Sequence, residues 1–199
     1  MIIWINGAFG SGKTQTAFEL SRRIPHSFVF DPENAGYYIR KNIPKEVRAA
    51  DDFQDYPLWR ETNYAMLTHI ANEYDGIVLV PMTVVNPQYF DEIVGRLRRD
   101  GRTVNHFALC ASKHILLKRL RSRGEGSGSW AARQIDRCVD GLSGDIFQRH
   151  LDTENMTVTE AAETIAAMSH IQLLPARKNK LLHKLDRLKT QLKHLRFFQ

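Results

Sequence analysis

The run NGAFGSGKT, residues 6–14, directly follows an apolar stretch, residues 1–5, and constrains this 199-residue chain more than any other feature. Its spacing, Gly7-x-x-x-x-Gly12-Lys13-Thr14, is that of a phosphate-binding P-loop, placed where such a loop must stand, between a hydrophobic strand and a helix. Three glycines without Cβ let backbone N–H groups turn inward, some at positive φ, around an anion. The helix that follows offers the same anion N–H groups with no partner inside the helix, and the positive end of its dipole. On this reading Gly7, Ala8, Phe9, Gly10, Ser11 and Gly12 cradle a polyphosphate, Lys13 adds a point charge for the β- and γ-phosphates, and Thr14 offers its hydroxyl to Mg²⁺. ATP and Mg²⁺ are the expected ligands.

Beyond the loop, short apolar runs alternate with longer helical patterns, as in strand and crossover-helix units around a parallel α/β sheet. Strands are expected at 2–6, 27–30, 76–81 and 104–110, with a weaker one at 148–151. Helices are expected at about 13–23, 34–42, 58–74, 87–99, 112–123, 129–149 and 158–168. A hydrophobic content of 43% supplies a substantial core, and no stretch approaches 18 apolar residues. The opening MIIWIN reads as a strand and not as a secretory signal, which implies a cytoplasmic protein. Cys110 and Cys138 form neither a metal pattern nor a disulfide framework, so both are expected to be packed thiols.

The net charge of +6 invites a nucleic-acid reading until its location is found. Residues 176–199 hold eight Lys or Arg and one Asp, a surplus of +7, which leaves residues 1–175 at −1. A nearly neutral body argues against a nucleic-acid partner.

Phosphoryl transfer needs a carboxylate for the acceptor hydroxyl and extra cations for the migrating group. Asp31, in FVFD at the tip of the second strand, lies where open parallel sheets bind ligands. The same Asp-Pro pair also opens turns and caps helices, and both readings stand. Arg119 and Arg123 share one helical face, Arg133 and Arg137 repeat the spacing, and the four flank the glycine-rich segment RSRGEGSGSW, 121–130. That segment reads either as a solvated loop or as a lid that delivers cations, spanning about 119–137. In DDFQDYPLWRETNY, 51–64, Trp59, Arg60 and Asn63 suit a base or sugar, with core packing as the competing reading; Arg40 joins them as a substrate candidate. After the third strand Met82 and Thr83 stand where P-loop motors and GTPases carry an acidic residue, which points to a small kinase; both are also substrate candidates.

These pieces, together with VPMTVV, IVGRLRRDGR, ASKHILLKRLRSRGEG and SWAARQIDRCVDGL, resemble the bacterial tunicamycin resistance proteins within the P-loop nucleoside and nucleotide kinase-like family, over nearly the whole chain. The resemblance implies a three-layer fold with a five-stranded parallel sheet in the order 2-3-1-4-5 across residues 1–175. It implies a cytoplasmic ATP-binding protein that protects against tunicamycin, a nucleoside antibiotic built on uridine, by phosphorylating it or by binding it. Asp31 matches the carboxylate of related small-molecule kinases, and Arg119 and Arg123 match the lid-side arginines of adenylate kinase-like enzymes.

In residues 176–199, Leu181, Leu185, Leu188, Leu192 and Leu195 make one apolar seam on an otherwise cationic helix. Such a helix lies in an anionic membrane interface, holding the protein on the inner face of the cell membrane, or pairs with its copy in a homodimer, or packs on its own body.

Overall fold

A computed structural model of the chain describes residues 1–48 and 52–176. Five strands, β1 (Ile2–Gly7), β2 (Ser27–Val29), β3 (Ile77–Pro81), β4 (Val104–Cys110) and β5 (His150–Asp152), form one parallel sheet in the order β2-β3-β1-β4-β5. This is the expected order. Every residue of β1 is buried, as a central strand covered on both faces requires, and Ile2 pairs with Val78 on one side and Val104 on the other.

The alternation of β1 divides the core into two layers. Ile2 and Trp4 join Trp59, Leu67, Phe90 and Phe147 on one face, under α3 (Pro57–Glu73) and the helical stretch 87–99. Ile3 and Ile5 face the other way, against Leu20 of α1 (Lys13–Arg23), Phe107 of β4 and Ile165 of the C-terminal helix Val158–Met168. Between these lie α2 (Glu33–Asn42) and two short helices, α4 (Pro87–Phe90) and α5 (Arg96–Arg99), which a π-helical turn at Asp91–Gly95 joins into one rod. After β4 come α6 (Lys113–Arg121), α7 (Trp130–Arg133) and α8 (Ile135–Leu142), and Val158–Met168 is α9.

Two expected elements differ. The helix expected at 129–149 is instead α7, α8 and a 3-10 turn at Asp145–Phe147. At Gln134 the amide splits between the carbonyls of Trp130 and Ala131, and Gly141, Ser143 and Gly144 end α8, with the Ser143 hydroxyl donating back to Asp140 O at 2.6 Å. The strand expected at 148–151 begins at His150, because Arg149 takes a φ of 63° that turns the chain just before it. Both cysteines are free thiols, Cys138 buried and Cys110 partly so.

Past α9 the chain returns to the far end of α1, where Leu174 N–H donates to Arg23 O and Arg23 Nε to Leu174 O. The basic segment from 177 to 199 lies outside the described residues, so the membrane, dimer and packing readings are left where the sequence put them. No described helix is long and apolar enough to cross a membrane.

Candidate active site

The loop between β1 and α1 wraps the N-terminus of α1 as its glycines allow. Gly10 and Gly12 take φ of +83° and +97°, and a Cβ on Gly10 would lie 2.8 Å from Leu116 O of α6. A side chain at position 10 would push the loop off α6, so glycine there serves close approach as well as the turn.

A clamp absent from the sequence reading fixes the loop from below. Asn6, fully buried, donates from Nδ2 to Val84 O at 2.8 Å and accepts at Oδ1 from the amides of Gly7 (2.9 Å) and Val84 (3.0 Å). Thr83 adds a hydroxyl bond to Gly7 O at 2.7 Å. The segment MTVV after β3 thus holds the phosphate loop with amide and hydroxyl groups. A polar residue ending an apolar strand immediately before Gly7 was the signal that could have found Asn6.

Lys13 is 9% exposed and has no ion-pair partner among the described residues; its Nζ lies 5.2 Å from the ring centroid of Phe9. Burial holds its ammonium below the ordinary lysine pKa, opposed chiefly by the charges of Glu33 and, further down, Asp31. The Ser11 hydroxyl is also buried without a partner. A buried unpaired cation and an orphaned hydroxyl, both in a glycine loop at a helix N-terminus, fit a polyphosphate.

Two adjoining cavities open around this loop and share Gly10 and Arg123. One, of about 230 Å³, is lined by Lys13, Thr14, Asp31, Glu33, Arg123 and Glu125 among others. The second, of about 220 Å³, lies between the loop, Thr16, Arg119 and the start of α9 at Thr157 and Val158. Asp31 holds two positions at once: its Oδ1 accepts from the Glu33 amide at 3.0 Å, opening α2, and its side chain lines the first cavity beside Lys13. The turn-opening position and a place in the cavity wall are thus compatible at Asp31. Glu33 and Glu125 were missed, although DPE placed the former two residues from Asp31. The α9 side was missed because it follows β5, the weakest strand signal in the chain.

Of the four expected arginines, two converge. Arg119 donates from Nη2 to Thr153 O at 2.6 Å, which fastens α6 to the loop after β5 and leaves its guanidinium in the cavity wall. Arg123 stands beyond the end of α6, before Gly124 at φ +85°, so the turn and not helical spacing brings it to the same cleft. Burial lowers its pKa, with Glu125 opposing. Arg133 and Arg137 line neither cavity: the first donates to Gly128 O and the second pairs with Asp52 at 3.2 Å.

The proposed base- or sugar-binding residues sit deeper than expected. Trp59 is fully buried and donates its Nε1–H to Pro32 O at 3.0 Å, so it supports the turn that carries Asp31. Asn63 and Met82 are core residues, Arg60 is closed onto Glu92 and the Gln54 carbonyl, and Arg40 lies 5.7 Å from the Phe53 ring centroid. None of these lines the two cavities around the loop.

Residues 2–144 match the AAA domain family. The fold is similar to the tunicamycin resistance protein of Deinococcus radiodurans at 35% identity and a TM-score of 0.76, covering 88% of this chain and 98% of that one. It is also similar to an APS kinase of Mycobacterium tuberculosis, at 15% identity and a TM-score of 0.61 over 85% of this chain and 96% of that one. A gluconokinase from Sinorhizobium meliloti matches at 18% identity and a TM-score of 0.58 over 95% of each chain. The last two likenesses are of fold alone. No curated protein matches the chain.

Proposed function

The chain belongs to the P-loop kinase-like family, beside the tunicamycin resistance protein of Deinococcus radiodurans, and on that premise we propose that it is an ATP- and Mg²⁺-dependent phosphotransferase acting on a hydroxyl of tunicamycin. The observation that carries this reading is the buried, unpaired Lys13 lining one cavity with Thr14, Asp31 and Arg123.

Loop amides and Lys13 bind the triphosphate, and Thr14 is the protein's ligand for Mg²⁺, which when bound neutralises phosphate charge. Asp31 accepts the proton of the acceptor hydroxyl as its oxygen bonds to the γ-phosphorus and the bond to the β-phosphate oxygen breaks, releasing ADP. Arg119 and Arg123 face the charge that migrates, and the segment 119–137 closes as a lid that keeps water out. Arg119 forms one wall of a cavity sized for a base, beside Thr157 and Val158.

The test is mass spectrometry of tunicamycin after incubation with the protein and Mg-ATP. Added phosphate mass is the expected result. Intact drug that co-purifies with the protein would overturn catalysis in favour of sequestration, which Asp31→Asn should then leave intact.

We further propose that the basic segment 176–199 associates peripherally with anionic membrane. Residue 174 is tied to the end of α1, an 11-residue helix, hence about 16 Å from the phosphate loop, so a tethered body keeps its site clear of the lipid. Each headgroup-adjacent cation adds about 1 kcal/mol, enough for reversible attachment. Removal of 176–199 should abolish sedimentation with anionic vesicles; unchanged pelleting refutes the idea.

A further inference from the structure

A third cavity, of about 360 Å³, lies on the other flank of the phosphate loop and shares no lining residue with the two already described. Its floor is Ala8, Leu109, Leu116 and Leu142, all buried, and its mouth is formed by the exposed Val139, Ser143 and His150. The volume falls within the range of about 300–1,000 Å³ common to small-molecule sites.

The chemistry of the wall selects the occupant. Every polar side chain in it is already engaged with a backbone carbonyl. Ser143 Oγ donates to Asp140 O at 2.6 Å, His150 Nε2 lies 2.6 Å from Leu142 O, and Cys110 Sγ lies 3.5 Å from Ala108 O. These groups are spent on the protein itself, so a polar ligand entering here would lose its water and gain little in return. The remaining surface is aliphatic, with no Phe, Tyr or Trp among the lining residues to stack on a flat ring. We propose that this cavity binds the saturated hydrocarbon chain of a small amphiphile, its polar head left at the mouth beside His150. Ala8 of the phosphate loop contributes to its floor, but no residue lining it also lines the two cavities around the loop, so the site fills independently of ATP, and it stands whether or not the kinase reading does.

The experiment is a fluorescence titration of the full chain with dansyl-undecanoate. Saturable, blue-shifted emission is expected, undiminished by Mg-ATP and reversed alike by dodecanoate and by neutral dodecanol, since the chain and not the head is recognised. Val139→Asp, a change at a half-exposed position of the mouth, should weaken binding about tenfold or more with the melting temperature retained, because it sets a carboxylate against the alkyl chain. Lack of saturable binding, displacement by Mg-ATP, displacement by the acid alone, or unchanged affinity in Val139→Asp would each overturn the proposal.

Discussion

Lys13 shows how a single residue can oppose the fold it belongs to. Its charge is buried without an ion-pair partner among the described residues and is offset only in part by the nearby charges of Glu33 and Asp31, so in the protein free of nucleotide it costs stability that an arriving anion would restore. Lys13→Met, close in shape and uncharged, should therefore raise the unfolding free energy of the nucleotide-free protein by about 1–2 kcal/mol in urea titration while removing most nucleotide affinity. The pH dependence has the matching sign. Between its lowered folded pKa and the ordinary value, the unfolded lysine binds more protons than the native one, so nucleotide-free wild type gains stability as pH rises through that interval and Lys13→Met does not. His106 is the second such residue. Packed against Phe90 and Phe147, with Nδ1 3.2 Å from Gln148 O, it is held neutral, its pKa pushed down by burial to about 4. Above the ordinary value of 6.5 it is neutral in both states and contributes nothing to the pH slope. From there down to about 4 the unfolded chain takes up a proton that the native one refuses, and roughly 3 kcal/mol of stability is lost across the interval. His106→Gln should flatten that acid limb, read as a smaller drop in melting temperature between neutral pH and pH 4.

At the scale of elements, α8 decides what lies over the loop after β3. Gly141 sits on α8 where an added Cβ would come to 2.9 Å from Val85 Cβ and 3.1 Å from Val85 O. Helix propensity favours alanine there by about 1 kcal/mol, but Val85 is β-branched and part of the contact is backbone, so neither neighbour gives way easily. The steric cost of about 1–3 kcal/mol wins, and Gly141→Ala should lower the urea midpoint instead of raising it. The same region marks the limit of what was legible. Strands β1 and β3 open as continuous apolar runs and β4 ends in the apolar FALC, so all three could be read directly, as could the phosphate loop, whose residues are consecutive. The breaks in 129–149 were harder, since α7 gives way to α8 at Gln134, a good helix former, and only the glycines and serine at 141, 143 and 144 announce the end of α8. Arg133 and Arg137 were grouped with Arg119 and Arg123 by spacing along a helix that is not continuous. For Trp59 and Asn63 the cleft and core readings both stood, because aromatic and amide groups serve either, and sequence alone does not say which face of α3 meets the sheet. Arg119 and Asp31 both line the cavities beside the loop, each with a backbone partner that no motif announces.

For the whole molecule, the sheet order sets the phosphate loop at the centre, with partners on opposite sides. Asp31 arrives from β2 at one edge, and Thr153 and Thr157 follow β5 at the other. Arg119 joins α6 to the β5 side, and the Arg137–Asp52 pair joins α8 to the segment before α3. On the proposed reading, a triphosphate at the loop would touch elements from both halves of the sheet, and its binding free energy would be gained only when the whole body is folded. At a nucleotide concentration about 100 times Kd this linkage adds roughly 2.7 kcal/mol to unfolding, a rise of about 5–10 °C in melting temperature for a body of this size. Mg-ATP should produce that rise in wild type and little in Lys13→Met. Asp31→Asn separates binding from chemistry: it keeps the hydrogen-bond acceptor that opens α2 and leaves the loop and Lys13 in place, so the thermal shift should persist while phosphate transfer to the drug falls by about 10²–10⁴-fold. A variant that loses both together would make Asp31 part of the nucleotide-binding framework and not the acceptor's base.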